Sequence, residues 1–174
     1  MDLAEHQRKL LGLIKTTYQA TNDDDSYIQA VAQSKHLEVM HEIVVFWRSL
    51  GVERYCVLTA SLLKQRGIFD KNIETLIKTQ AVSPFIEKLG RTFVEMMSQN
   101  EDDLIASVAQ FESAFIKVKH GDHNQYIIDW YYEPYAVLTS LIRNLPLEQN
   151  LIKGSYRTVV SAQLPHSFEV VTLG

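Results

Sequence analysis

The chain has 174 residues, 46% of them hydrophobic and 22% charged, with Lys plus Arg 17 against Asp plus Glu 21 and a formal net charge of −4. That length can bury a core without disulfides or a structural metal, and the acidic balance argues against a whole surface devoted to nucleic acid or anionic lipid. Cys56 is the single cysteine, no apolar run reaches spanning length, and the amino terminus MDLAEHQRKLLGLIK spaces its apolar residues between Asp2 and Glu5 and other polar residues, so a soluble protein of the reducing cytoplasm is expected.

From Asp2 to about Tyr18, Leu3, Leu10, Leu11, Leu13 and Ile14 predict an amphipathic helix with Asp2 as its cap. Thr21 to Asp25 is a polar break, after which Asp25 or Ser26 starts a short helix through Ile28 and Val31. Ser34 then caps KHLEVMHEIVVFWRSL, with Leu37, Met40, Ile43, Val44 and Trp47 as its stripe. Val39, Val45 and Phe46 make this helix apolar nearly all round, which predicts a central place in a bundle. Gly51 is expected to interrupt it, and Val52 to about Lys64 forms either the second half of a bent helix or the second member of a tight helical pair.

Gly67 closes that segment, and Asp70 caps a short helix through Ile73, Leu76 and Ile77. Ser83-Pro84 opens a helix with Phe85, Leu89, Phe93 and Met96 on one face, ending near Asn100. Leu104, Val108, Phe111, Phe115 and Val118 recur at spacings of four and three, with Asp102 and Asp103 at the start and Lys117, Lys119 and His120 at the end, where the helix dipole favours each sign. Gly121 can take the left-handed conformation that closes this helix. Tyr126 to Tyr131 then reads as a strand, Glu133-Pro134 as a helix start running to Leu145-Pro146, and Gly154-Ser155 as a turn. Tyr156–Ala162 and Phe168–Leu173 are two strands joined across Gln163 to His166. The expected fold is mainly α: six or seven helices in a bundle over residues 1–121, with a strand-helix-strand-strand appendage over residues 122–174 packed on it as one structural domain.

Few residues carry a chemical signature. Glu38 and His41 put a carboxylate and an imidazole on one helical face, the spacing that di-iron bundles use twice, but no second such pair exists. His120 and His123 flank Asp122 in a turn, short of the three or four ligands that zinc or iron needs, and a helix stop is the plainer reading. These four are the weak metal candidates; no metal and no cofactor is expected. Cys56 lies in the apolar run YCVLTASLL and reads as a buried structural thiol. Glu112 borders the apolar stripe of its helix and calls for an ion pair, with Arg91 or Arg143, or a cap contact. Tyr126, Trp130, Tyr131, Tyr132 and Tyr135 form an aromatic cluster suited to a recognition surface, of which core packing explains about half, and an open edge of the C-terminal strands can accept a peptide by strand addition. No P-loop, GxGxxG, HExxH, GxSxG or paired-cysteine motif is present.

The stretch VAQFESAFIKVKHGD, followed by DWYYEPYAVLTSL and YRTVVS, resembles a bacterial family in its C-terminal half. Its members are partner proteins of multinuclear iron oxidases that modify ribosomally made peptides, and some carry the label DNA-binding. A helix with a leucine-or-phenylalanine, glutamate, alanine pattern precedes a short strand in that family, and the counterpart here is Phe111-Glu112-Ser113-Ala114. The resemblance implies a non-enzymatic adaptor that binds an iron-dependent oxidase and a precursor peptide, with Glu112 and the aromatic cluster as partner-binding residues. It carries no catalytic residue, because the iron chemistry belongs to the partner. The alternatives are a DNA-binding regulatory module, which the acidic balance disfavours, and a metal-dependent helical enzyme using Glu38 and His41.

Overall fold

The structure is a computed structural model that describes residues 2–80, 83–147 and 151–173. Among these residues it has eight helices, α1 (Leu3–Ile14), α2 (Ser26–Ala32), α3 (Lys35–Tyr55), α4 (Val57–Gln65), α5 (Phe69–Thr79), α6 (Ile86–Met97), α7 (Asp103–Lys119) and α8 (Pro134–Ile142). Three strands complete it: β1 (Tyr126–Tyr132), β2 (Lys153–Val160) and β3 (Phe168–Thr172). The protein is therefore mainly α with a small C-terminal sheet, as the periodicities predict. No helix among the described residues is long and apolar enough to cross a membrane. By its contacts the chain divides into two compact units, Met1–Leu50 with Lys71–Val82, and Gly51–Asp70 with Ser83–Gly174. The division falls inside α3 and α5.

In the first unit, α1 packs on α2. Asp2 makes no side-chain cap bond, and α1 ends at Ile14 rather than near Tyr18, because Thr16 takes a φ of 56° and Thr17 and Tyr18 turn back to the Gly12 carbonyl. Asp25 does cap α2, accepting from the Ile28 N–H at 2.9 Å. The polar break between these helices is organised by Asp24, whose side chain is fully enclosed. It accepts from Lys9 Nζ at 2.7 Å, Tyr18 Oη at 2.7 Å and the Thr21 N–H at 2.7 Å.

α3 departs from its expected central place. Its only buried residues are Gly51 and Val52, while Val39, Met40, Ile43, Phe46 and Trp47 stand 46–62% exposed. The reason lies in a second stripe at the same spacing. Leu37, His41, Val44 and Arg48 follow at four, three and four residues on the opposite side, and all are half-buried. His41 Nδ1 lies 2.8 Å from the Ile14 carbonyl oxygen, which turns this side of the helix inward and the larger apolar stripe outward.

α3 also runs straight through Gly51 to Tyr55, and the break comes at Cys56. In the second unit the helix buried on most sides is α7, with Leu104, Ile105, Ser107, Val108, Ala109, Phe111, Glu112, Ala114 and Val118 enclosed. The small side chains among them let α4, α6, β1 and β2 all pack against it. Asp102 caps α7 through the Leu104 and Ile105 N–H groups, and Gly121 closes it with a φ of 93°. α6 begins at Ile86, later than Ser83-Pro84, and Gly154 lies within β2 instead of in a turn.

The sheet order is β1-β2-β3, antiparallel throughout. Trp130 pairs with Tyr156 and Tyr132 with Lys153, leaving a bulge between. The inner face carries Ile128, Trp130, Thr158, Val160 and Phe168 toward α7. Phe111 is the hub of the packing, with ring centroids 6.1 Å from Trp130, 5.9 Å from Phe115 and 5.1 Å from Phe168.

Candidate interaction site

Glu112 and Trp130, expected at the partner surface, are both interior. Glu112 accepts from the Leu58 N–H at 2.7 Å and the Thr59 N–H at 2.9 Å, so it caps the start of α4 from outside that helix. It is the cap contact, not an ion pair with Arg91 or Arg143. Burial pushes its carboxyl above the usual range, against the opposing pull of the Thr59 and Leu58 hydrogen bonds. Trp130 is 2% exposed, and its Nε1 donates to Thr158 Oγ1 at 3.0 Å. Neither side chain offers surface to a partner. Cys56 is buried next to this cap, donates to the Gly90 carbonyl at 3.2 Å, and has its thiol pushed up by burial and by the Glu112 carboxylate.

The remaining aromatic residues divide. Tyr126 is half-buried and donates to Asp122 Oδ2 at 2.6 Å, which holds the Asp122 carboxyl below its ordinary range. Tyr132 is half-buried as well. Tyr131 and Tyr135 are exposed. Tyr131 and Tyr132 line a recess of about 440 Å³ with Arg66, Asp102 and Lys153, and Arg66 is ion-paired to Asp102. The Tyr135 ring lies 5.9 Å from Phe168, the first residue of β3.

The free strand edges differ from each other. Ser161 N–H donates to the Ser167 carbonyl at 2.9 Å, and Leu173 N–H to the Ser155 carbonyl at 2.8 Å. Antiparallel hydrogen bonding alternates along a strand, so Glu169 and Val171 exchange bonds with β2. The N–H and C=O groups of Phe168, Val170 and Thr172 therefore point away from the sheet. On the far side, Ser107 of α7 donates its hydroxyl to the Asp129 carbonyl on the outer edge of β1 at 2.9 Å, and α7 packs there. One edge is thus engaged at its middle, and the β3 edge is open among the described residues. On the outer face beside it stand Glu169 and Val171, next to a row formed by Arg157 and Asp129, whose side chains are 2.7 Å apart. That pairing lowers the Asp129 carboxyl and raises the Arg157 guanidinium.

The metal candidates are not gathered. Glu38 is exposed, His41 is bonded to the Ile14 carbonyl, His120 lies 3.9 Å from Glu87, and His123 is exposed. Among the described residues no group of three or more His, Cys, Asp or Glu is placed to hold a metal ion. Sequence reasoning missed Ser107, Thr158 and Asp24. For Ser107 and Thr158 a hydroxyl inside or beside an apolar run was the available signal, since a buried polar group needs a partner, whereas Asp24 lies in a polar run that gave none. No family model, curated protein or solved structure matches the chain.

Proposed function

We propose that the protein is a non-enzymatic adaptor that takes an extended peptide onto the edge of β3 and holds it for a modifying enzyme. The observation that carries this reading is the asymmetry of the sheet. Among the described residues the outward N–H and C=O groups of Phe168, Val170 and Thr172 have no strand beside them, whereas the β1 edge meets Ser107 and α7. An open edge is a template for strand addition, in which main-chain bonds supply affinity and alternate side chains supply selectivity. Tyr135 stands exposed beside Phe168, where it supplies rigid contact area at the start of the edge. The resemblance carried by Phe111 to Ala114 and the segments after it supports a multinuclear iron oxidase as the enzyme and its precursor peptide as the ligand. In this reading Glu112 and Trp130 act from inside, Glu112 fixing α4 and Trp130 fixing the sheet.

Val170→Pro tests it. Proline removes one outward N–H and leaves the bonds of Glu169 and Val171 to β2 in place, as an edge strand tolerates. Tagged wild type expressed in the native host is expected to recover a short peptide together with a modifying enzyme, and Val170→Pro to lose the peptide with unchanged circular dichroism. Equal recovery by both chains, or recovery of no peptide by the wild type, refutes strand addition at β3.

A further inference from the structure

The outward stripe of α3 has no part in the reading above. Val39, Met40, Ile43, Phe46 and Trp47 lie on one side of the helix, at spacings of three and four, and each is 46–62% exposed. Phe46 and Trp47 stack edge to face with centroids 5.6 Å apart, which holds both large rings on this side. The largest contiguous apolar patch on a soluble monomer is typically about 300–600 Å² and often marks an interaction surface. Its area and symmetry point to what covers it. Side chains of this size present about 150–250 Å² each when fully exposed, so five at half exposure offer on the order of 500 Å² per copy. Two such faces together reach about 1,000 Å², which with a polar rim meets the size of a specific interface.

We propose that α3 pairs with α3 of a second copy in a two-fold dimer. A single helix face meeting itself closes after two chains, and forms no open polymer. The 3-4 spacing suits helix-on-helix packing. Centred on Ile43, an antiparallel pair sets Val39 opposite the partner copy's Trp47 and Met40 opposite its Phe46, the smaller or more flexible side chain against the large ring each time. Trp47 is then the flanking anchor one turn from the axis, of the residue type most enriched among those that dominate interface energetics. Each side of α3 then has a cover: the chain itself half-covers the mixed Leu37, His41, Val44 and Arg48 side, and the copy covers the apolar one.

Sedimentation velocity over a dilution series tests the dimer. The expected species is two chains of 20.0 kDa each, dissociating on dilution. Trp47→Glu and Ile43→Glu are each expected to weaken association at least about 100-fold, because each substitution occurs twice across the interface. Leu3→Glu, on another exposed apolar residue, leaves it unchanged. Tryptophan emission of the wild type gives a readout that needs no variant. Trp130 is buried in either state, so a red shift on dilution reports Trp47 leaving an apolar contact. A 20 kDa species throughout with constant emission, or a dimer that both glutamate variants leave intact, overturns the proposal. Val170→Pro is expected to dimerise like the wild type, so the dimer and the peptide edge fail independently.

Discussion

Replacing Glu112 asks whether one carboxylate on α7 decides where α3 stops and α4 starts. Glu112 sits 5% exposed and takes up the N–H groups of Leu58 and Thr59, two of the orphan donors that any helix start leaves. Each buried donor stripped of its acceptor costs about 1–3 kcal/mol. Lost packing adds about 1 kcal/mol, and relief of the carboxylate's own desolvation offsets part of the sum. The net expectation for Glu112→Ala is a loss of about 3 kcal/mol, which for a chain of this size lowers Tm by about 6–12 °C. Glu112→Gln keeps one acceptor oxygen and is expected to cost about 1–2 kcal/mol. Urea unfolding followed by circular dichroism measures the stability, and amide hydrogen exchange at Leu58 and Thr59 locates it. A pH series adds a sign. The folded carboxyl is raised by burial, so its contribution is fully present below its unfolded value, about 4.3. That contribution is lost as pH rises through the folded value. Wild type should therefore lose stability relative to Glu112→Gln as pH rises from about 4 toward neutrality. Glu112→Ala within about 0.5 kcal/mol of wild type, or unchanged protection at Leu58 and Thr59, would refute the reasoning.

Two further outcomes follow from the packing. Asp24 is held well below the ordinary carboxylate range, first by Lys9 Nζ and then by the Thr21 N–H and the Tyr18 hydroxyl. Its contribution is present above its unfolded value, about 3.9, and is lost as pH falls toward the depressed one. Asp24→Asn should lower the urea midpoint at neutral pH and flatten the acid limb of the stability curve; an acid limb identical to wild type counts against this network. At Gly90 an added Cβ would come within 2.2 Å of the Tyr55 ring, so the helix or the ring must move. Gly90→Ala is expected to cost about 2 kcal/mol and to raise the reactivity of the Cys56 thiol, whose hydrogen bond runs to the Gly90 carbonyl. An unchanged urea midpoint for that variant would show that Tyr55 moves freely.

The candidate site was partly legible. Strand-forming residues around Trp130 and in the last twenty positions marked the sheet, and a sheet this small has edges. Which edge stays open could not be read, because it depends on Ser107 reaching the Asp129 carbonyl from a helix more than twenty residues earlier. The aromatic run was equally ambiguous. Tyr131 and Tyr135 face outward while Trp130 faces in, and the two-residue alternation of a strand separates neighbours such as Trp130 and Tyr131 only once the inner face is known.

The amino-acid sequence alone determined most element types and many of the helix and strand starts and stops. Apolar spacing along α7, the cap at Asp102, the stop at Gly121 and the Glu133-Pro134 start of α8 are local effects of backbone geometry and nearby side chains. The tertiary structure decided what local signals leave open. α3 reads as apolar nearly all round and α7 as carrying a single stripe, yet α7 is enclosed on most sides and α3 keeps a whole stripe in solvent. His41 is tied to Ile14, and the small residues of α7 admit neighbours all round. Gly51 looked like the helix break, but a lone glycine costs a helix only about 1 kcal/mol. Two N–H groups captured by Glu112 from across the fold outweigh it and set the new start after Cys56.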